Sequence, residues 1–117
     1  MSTKPKILGL FPTPFMTCPG AIPPQLVARL RERAVSAYKK SNARTDLLSH
    51  TEMIDPKDDR EFAEVGDIIR PRLVEFGEAM FGEKLAWTVK ETWLNVLQNG
   101  GSQFIHSHAN SFISGVI

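Results

Sequence analysis

An internal disulfide is impossible in this chain, because Cys18 is its one cysteine, and that scarcity is compatible with a reducing compartment. The thiol sits in a proline-rich stretch near the amino terminus, where a tolerated or buried side chain is a simpler reading than a nucleophile. Long apolar runs are missing too. No stretch approaches the roughly 20 residues that a bilayer-spanning helix requires. The opening Met-Ser-Thr-Lys-Pro-Lys leads into an apolar patch too short and too broken by proline for a secretory signal, so cytoplasmic residence is the expectation. Nor is there an excess of charge of one sign. Fourteen basic and 13 acidic side chains leave a net charge of +1 and are mixed along the chain, which argues against nucleic acid or an anionic membrane as partner.

What is present is enough apolar material for one modest core: 117 residues, 42% hydrophobic, too few for two domains. A single domain over 1–117 is therefore expected. It divides into an edge strand and proline-rich segment at 1–24, a helical part at 25–84 and antiparallel strands at 85–117.

Lys6 to Phe11 suits a short strand, and Pro12 and Pro14 confine it to a sheet edge. Pro23 and Pro24 stand where a helix begins, since the amide proton they lack would be unpaired there anyway. Leu26, Val27, Leu30, Ala34 and Tyr38 then recur at helical spacing up to about Lys40, with Arg29, Glu32, Arg33 and Lys39 on the other, solvated face. Ser41 to Glu52 has no durable period and reads as a surface loop that shapes the mouth of a site. Asp55-Pro56 offers a cap and first turn for a second helix, whose stripe is Phe62, Val65, Ile69, Leu73, Phe76 and Met80. Pro71 predicts a kink near Val65 to Asp67, or two helical pieces meeting there; Gly77 and Gly82 loosen the end, and Gly82 is the expected stop.

The period changes to two at Leu85, Trp87 and Val89, and Thr92 to Gln98 is again strand-like. Asn99-Gly100 signals a hairpin. A returning strand over about 103–108, a turn at Ala109-Asn110-Ser111 and a third strand at 112–117 complete the plan. Trp87 and Trp93 are read as core residues sharing one face.

His106 and His108 carry the chemistry. Two positions apart on a strand, they present both rings to one face, in a semi-enclosed pocket between Phe104, Ile105 and Phe112. A partly buried imidazole needs a partner, and two adjacent ones make half of a transition-metal site; the competing reading is an inert pair on a polar strand face. A mononuclear iron centre requires a third protein ligand and open positions. His50, Asp46, Glu52 and Glu91 are candidates for it, and no spacing rule selects among them. Glu91 serves equally as half of a cross-strand ion pair. Asn95 and Gln103 can orient a ligand or simply bond within the sheet.

Several segments carry a family resemblance. Leu10-Phe11-Pro12-Thr13-Pro14, Ser41-Asn42, Trp93-Leu94-Asn95, Gly100-Gly101-Ser102-Gln103 and the closing run from His106 to Val116 resemble the amino-terminal part of 2-oxoglutarate- and iron(II)-dependent oxygenases of marine bacteria and phages. The resemblance implies an α+β fold: a partial double-stranded β-helix, a jelly roll of cupin-like form, with two bracing amino-terminal helices. It implies an iron(II)- and 2-oxoglutarate-dependent dioxygenase that decarboxylates 2-oxoglutarate and hydroxylates an organic substrate, in the cytoplasm of a bacterium or phage-infected host. His106 matches the first iron ligand of the pattern His-any-Asp/Glu. His108 departs from it, and Asn110 competes as a neighbouring or alternative group. The distal histidine and basic anchor of the pattern are expected beyond Ile117, which leaves Arg44, Arg70 and Arg72 as weak stand-ins for the anchor. Cupin relatives share the His-any-His start, with Gly100 six positions before His106, but add a glutamate that is absent between His108 and Ile117. On these expectations an apolar terminal strand favours self-association by edge pairing. The alternative function is a non-catalytic structural or interaction module that pairs through the same open sheet edge.

Overall fold

Two helices and an antiparallel sheet organise the computed structural model, which describes residues 11–36, 40–41 and 45–117, with the backbone alone described at 40–41 and 45–49. In chain order these are α1 (Pro24–Ser36), β1 (Lys40–Ser41), β2 (Thr45–His50), α2 (Arg60–Phe81) and β3 (Asn95–Gln103). The sheet order is β1-β2-β3, antiparallel throughout. The expected strand at Lys6 to Phe11 lies, apart from Phe11, outside the described residues, as does Tyr38.

α1 begins where the paired prolines put it, with Leu26 and Val27 both donating to the Pro23 carbonyl, at 3.0 and 3.1 Å. Leu26 and Leu30, one turn apart, are buried, whereas Val27 stays half exposed. The second helix starts later than its first proline suggests. Asp55 closes a turn instead: its carboxylate accepts from the Lys57 amide at 2.9 Å and its carbonyl from Asp58 at 3.0 Å. Asp59, extended at φ −138°, is the cap, accepting from the Phe62 amide at 3.1 Å. From there α2 runs unbroken through Pro71, which leaves only the Asp67 carbonyl without its helical donor. Gly82, at φ 77°, ends it by donating to the Glu78 carbonyl at 2.8 Å. Among the described residues no helix is long and apolar enough to cross a membrane.

The helices meet over a small core of Leu26, Leu30, Phe62 and Val65, with Ile22, Ile54, Ile68, Ile69 and Leu94 packed around it. Complete burial of Leu26 contributes about 1.5–3 kcal/mol. The basic face of α1 is more than a solvated surface. Arg29 reaches Glu64 at 2.5 Å and Glu61 at 3.8 Å, while Arg33 pairs with Asp59 and with Glu61 at 3.2 Å and lies over the Phe62 ring. Half-exposed pairs of this kind contribute modestly next to the apolar contact they border. The Arg33 guanidinium bonded to Asp59 holds that carboxyl below its ordinary range, against an opposing push from burial.

The stretch expected to be a loop, Ser41 to Glu52, holds β2, which pairs with both its neighbours: His50 lies opposite Lys40 of β1 and Asn95 of β3. Pairing continues beyond the regular strands. The Thr51 amide donates to the Leu94 carbonyl at 3.0 Å, the Ile54 amide to the Thr92 carbonyl at 2.9 Å, and the Thr92 hydroxyl to the Ile54 carbonyl. Because Ile54 and Leu94 also touch the helical core, this ladder ties the sheet to the helices.

Asn99-Gly100 does not reverse the chain. A two-residue turn of that type needs positive φ at both central residues, and here only Gly100 adopts it, at 81°. β3 therefore runs on through a bulge, advancing five positions, Leu97 to Ser102, while β2 advances two, Leu48 to Asp46. The strand ends at Gln103, and neither 104–108 nor 112–117 forms a further strand, although the chain does turn at Ala109-Asn110, with Asn110 at φ 58°. Among the described residues the sheet thus has three strands, against the eight of a complete jelly roll.

Leu85, Trp87 and Val89 are half-buried and Ala86, Thr88 and Lys90 exposed, as the alternation predicts, but 85–94 forms no regular strand, and β3 begins only at Asn95. Trp87 packs on α2. A Cβ at Gly77 would come within 2.5 Å of the Trp87 ring, so this glycine is a notch for the indole and not a loosened helix end. Phe81 and Phe112 extend the cluster, with centroids 6.1 Å from Trp87 and 6.4 Å from each other's ring respectively.

Two outcomes follow from this packing. Gly77→Ala forces the indole out of its notch, so a loss of about 1–3 kcal/mol in urea unfolding is expected, with a shift in tryptophan emission. Asp59 has a lowered folded-state pKa, so its contribution is complete above its unfolded value and lost as pH falls through the folded one. Stability should therefore decline below about pH 4, and Asp59→Asn should flatten that acid limb in pH-dependent urea melts.

Candidate functional site

The site forms because the closing segment folds back beside 85–94. Lys90 donates to the Ala109 carbonyl at 3.3 Å, Phe112 packs edge-on against Phe81, and His108 lies against Trp93 with centroids 5.6 Å apart. These tethers, and not a strand, place His106 and His108 on one side of the backbone. Their rings stand nearly perpendicular at 4.9 Å, with the two Nε2 atoms 3.2 Å apart.

The tautomers follow from the partners. A carbonyl oxygen only accepts, so His106 carries its proton on Nδ1, donating to Phe104 at 2.9 Å, and His50 does the same toward the Thr51 carbonyl at 2.8 Å. Each of these rings is left with a bare Nε2 lone pair. In the neutral pair His108 supplies the Nε2 proton that lies between the rings; moved to its Nδ1, that proton would free a second lone pair beside the first. Backbone carbonyls bonded to the far ring nitrogen orient metal-binding histidines in the same way. Two imidazoles bound at about 2.0–2.1 Å to one tetrahedral or octahedral cation have nitrogens roughly 2.8–3.4 Å apart, so the pair is spaced to share one.

Around them is an open concavity of about 320 Å³, lined by His50, Thr51, Glu52, Met53, Glu91, Trp93, Asn95, Gln103, His106 and His108. All three histidines of the chain thus line one hollow, together with Glu52 and Glu91, two of the three carboxylates that the spacing left undecided, and both amides. β2 and its extension bring His50 and Glu52, and β3 brings Asn95 and Gln103 from its two ends. Trp93 serves this hollow, separate from Trp87 on α2. Asn95 accepts from the Trp93 indole at 3.1 Å. Glu91 pairs with its neighbour Lys90 at 3.3 Å and not across strands.

Other sequence candidates fall elsewhere. Asn110 is the left-handed corner of the turn and does not line the hollow. Arg70 and Arg72 are exposed on α2, where Arg72 pairs with Glu75 at 3.0 Å; Arg44 and the Asp46 side chain lie outside the described residues. Cys18 is exposed. Among the described residues no three His, Cys, Asp or Glu side chains are grouped as a ready-made cation site, so the close pair is the organised part. No Lys or Arg lines the hollow among the described residues, so the cationic anchor expected for 2-oxoglutarate is not among them. A larger, shallow concavity of about 640 Å³ runs along α1 past Val27, Arg31 and Val35; it gathers no convergent donors, so size does not select the site.

Sequence reasoning missed the contact between Trp93 and His108, since it joins residues 15 positions apart across the whole of β3. Comparison with protein-family models, with curated proteins and with solved structures finds no match.

The hydrogen bonds to the Phe104 and Thr51 carbonyls have a direct readout. In neutral solution ¹⁵N–¹H spectra should show His106 and His50 protonated on Nδ1, and an Nε2–H form for either ring would contradict the geometry.

Proposed function

We propose that His106 and His108 are half of a transition-metal centre, and that the chain is of the iron(II)- and 2-oxoglutarate-dependent dioxygenase type, a cytoplasmic hydroxylase of an organic substrate. The observation that supports the metal centre is the facing pair of Nε2 atoms at 3.2 Å, with the His106 tautomer set by a backbone carbonyl. Iron(II) held there would supply the activation of dioxygen. His50, Glu52 and Glu91 on the walls are the candidates to complete its coordination. The choice of iron, the jelly roll and 2-oxoglutarate come from the resemblance of the His106 to Val116 run. The described residues offer no cationic anchor for the dicarboxylate, and no step is routed through it.

A second reading has its own support. Phe104, Ile105, Phe112, Val116 and Ile117 are all exposed, and β3 is an edge strand of the described sheet, as a module that pairs with a second chain would require.

Equilibrium dialysis of the full chain against iron(II), under argon, separates the two. One cation per chain is expected, with affinity reduced about tenfold or more in His106→Ala and in His108→Ala, and by a smaller factor in whichever of His50→Ala, Glu52→Gln and Glu91→Gln removes a further donor. A wild-type chain that takes up no cation, yet sediments as a dimer that Ile105→Glu dissociates, would establish the pairing module instead.

A further inference from the structure

We infer that Trp93, held by Asn95, is the positioning residue of the imidazole pair: its indole sets the His108 ring so that the two Nε2 atoms meet. This rests on the reading of the pair as half of a metal centre and adds what arranges it.

His108 lies five residues beyond Gln103, the last residue of β3, so the strand ladder does not fix its ring. The two rings of the pair are held from different sides. His106 is tied to its own backbone through Nδ1 and the Phe104 carbonyl. His108 instead lies against the Trp93 ring, centroids 5.6 Å apart and planes inclined at 39°. Trp93 is itself restrained, because its Nε1 donates to the Asn95 side-chain oxygen at 3.1 Å, and Asn95 begins β3 opposite His50 of β2. Its neighbour Leu94 is fixed by Thr51, whose amide donates to the Leu94 carbonyl and whose hydroxyl accepts from the Leu94 amide at 3.1 Å. The chain of restraint therefore runs from the sheet, through Asn95 and the indole, to a ring on the returning segment.

The physical consequence is pre-organisation. A half-buried histidine on irregular backbone, with no hydrogen bond to its own backbone, samples more than one rotamer unless a neighbour restrains it, and that freedom must be given up when two nitrogens converge on one cation. An aromatic wall that excludes the other rotamers removes that cost before the cation arrives. The wall needs a flat ring of sufficient area and a fixed plane. Phenylalanine supplies the first without the hydrogen bond to Asn95, and alanine supplies neither.

The test uses the full chain with two readouts, one independent of metal. In the metal-free protein, the ¹H nuclear Overhauser effect between the His106 and His108 rings reports their approach, and the ring-current shift of His108 protons reports the indole. Both are expected in the wild type, weaker in Asn95→Ala, retained as a ring contact in Trp93→Phe and lost in Trp93→Ala. Cobalt(II) is the second probe. Its affinity should fall about tenfold in Trp93→Ala and stay within about threefold in Trp93→Phe, a rescue that a general loss of folding would not give. Cobalt(II) should also quench the emission of a Trp87→Phe chain, whose remaining indole is Trp93. If Trp93→Ala keeps both the inter-ring effect and the cobalt affinity, the inference is overturned while the metal centre stands. If the wild type shows the inter-ring effect but binds no cobalt, the metal reading falls, and loss of that effect in Trp93→Ala still establishes the positioning role.

Discussion

The antiparallel pairing of residues 45–54 with 92–103 is the constraint on which the other features depend. Its lower part, through Thr51, Ile54, Thr92 and Leu94, is hydrogen-bonded on one side and packed into the helical core on the other. Its upper part carries His50, Asn95 and Gln103 to the hollow where the imidazoles lie. Backbone ladders satisfy polar groups that would otherwise be costly to bury, and they set register at the same time. A slip of one residue would turn His50 away from the face that carries Asn95 and the histidine pair.

The core that anchors this ladder is small. Among the described residues the buried apolar ones of the core are Leu26, Leu30, Phe62 and Val65, and the helices add ion pairs at their rim through Arg29 and Arg33. The two ends of the molecule are accordingly built by different means. Around α1 and the start of α2, burial of aliphatic side chains dominates. In the closing segment, single contacts hold the chain: Lys90 to Ala109, Phe81 to Phe112, and Trp93 to His108. Each is worth little alone, and together they make one side of the hollow.

How much of this could be read from residues alone depended on range. Both helices were legible because spacing of three and four needs only neighbours, and so was the αL stop at Gly82. The start of α2 was not, since Asp55-Pro56 and Asp59 are both acceptable caps. The choice fell to the one whose carboxylate meets Arg33 and lies three residues before Phe62. β2 was hidden because Thr45 to His50 has no clean alternation, and its strand character comes from the partner it finds 45 to 58 residues later. Asn99-Gly100 is a local hairpin signal that lost to that same distant partner, which keeps β3 extended through a bulge.

Sequence by itself determined the local rules: where helices can begin and stop, which faces are apolar, and that His106 and His108 stand too close together to ignore. Those are matters of side-chain type and short spacing, which the backbone expresses whatever surrounds it. Tertiary structure alone decided what the imidazoles face. The strand that was to align them ends at Gln103, and the segment that carries them is held beside 85–94 by the contacts of Trp93 with His108 and Lys90 with Ala109, while β2 and its extension deliver His50 and Glu52 from half the chain away. Such convergence depends on register and on loop closure, neither of which is written in the spacing of any one segment.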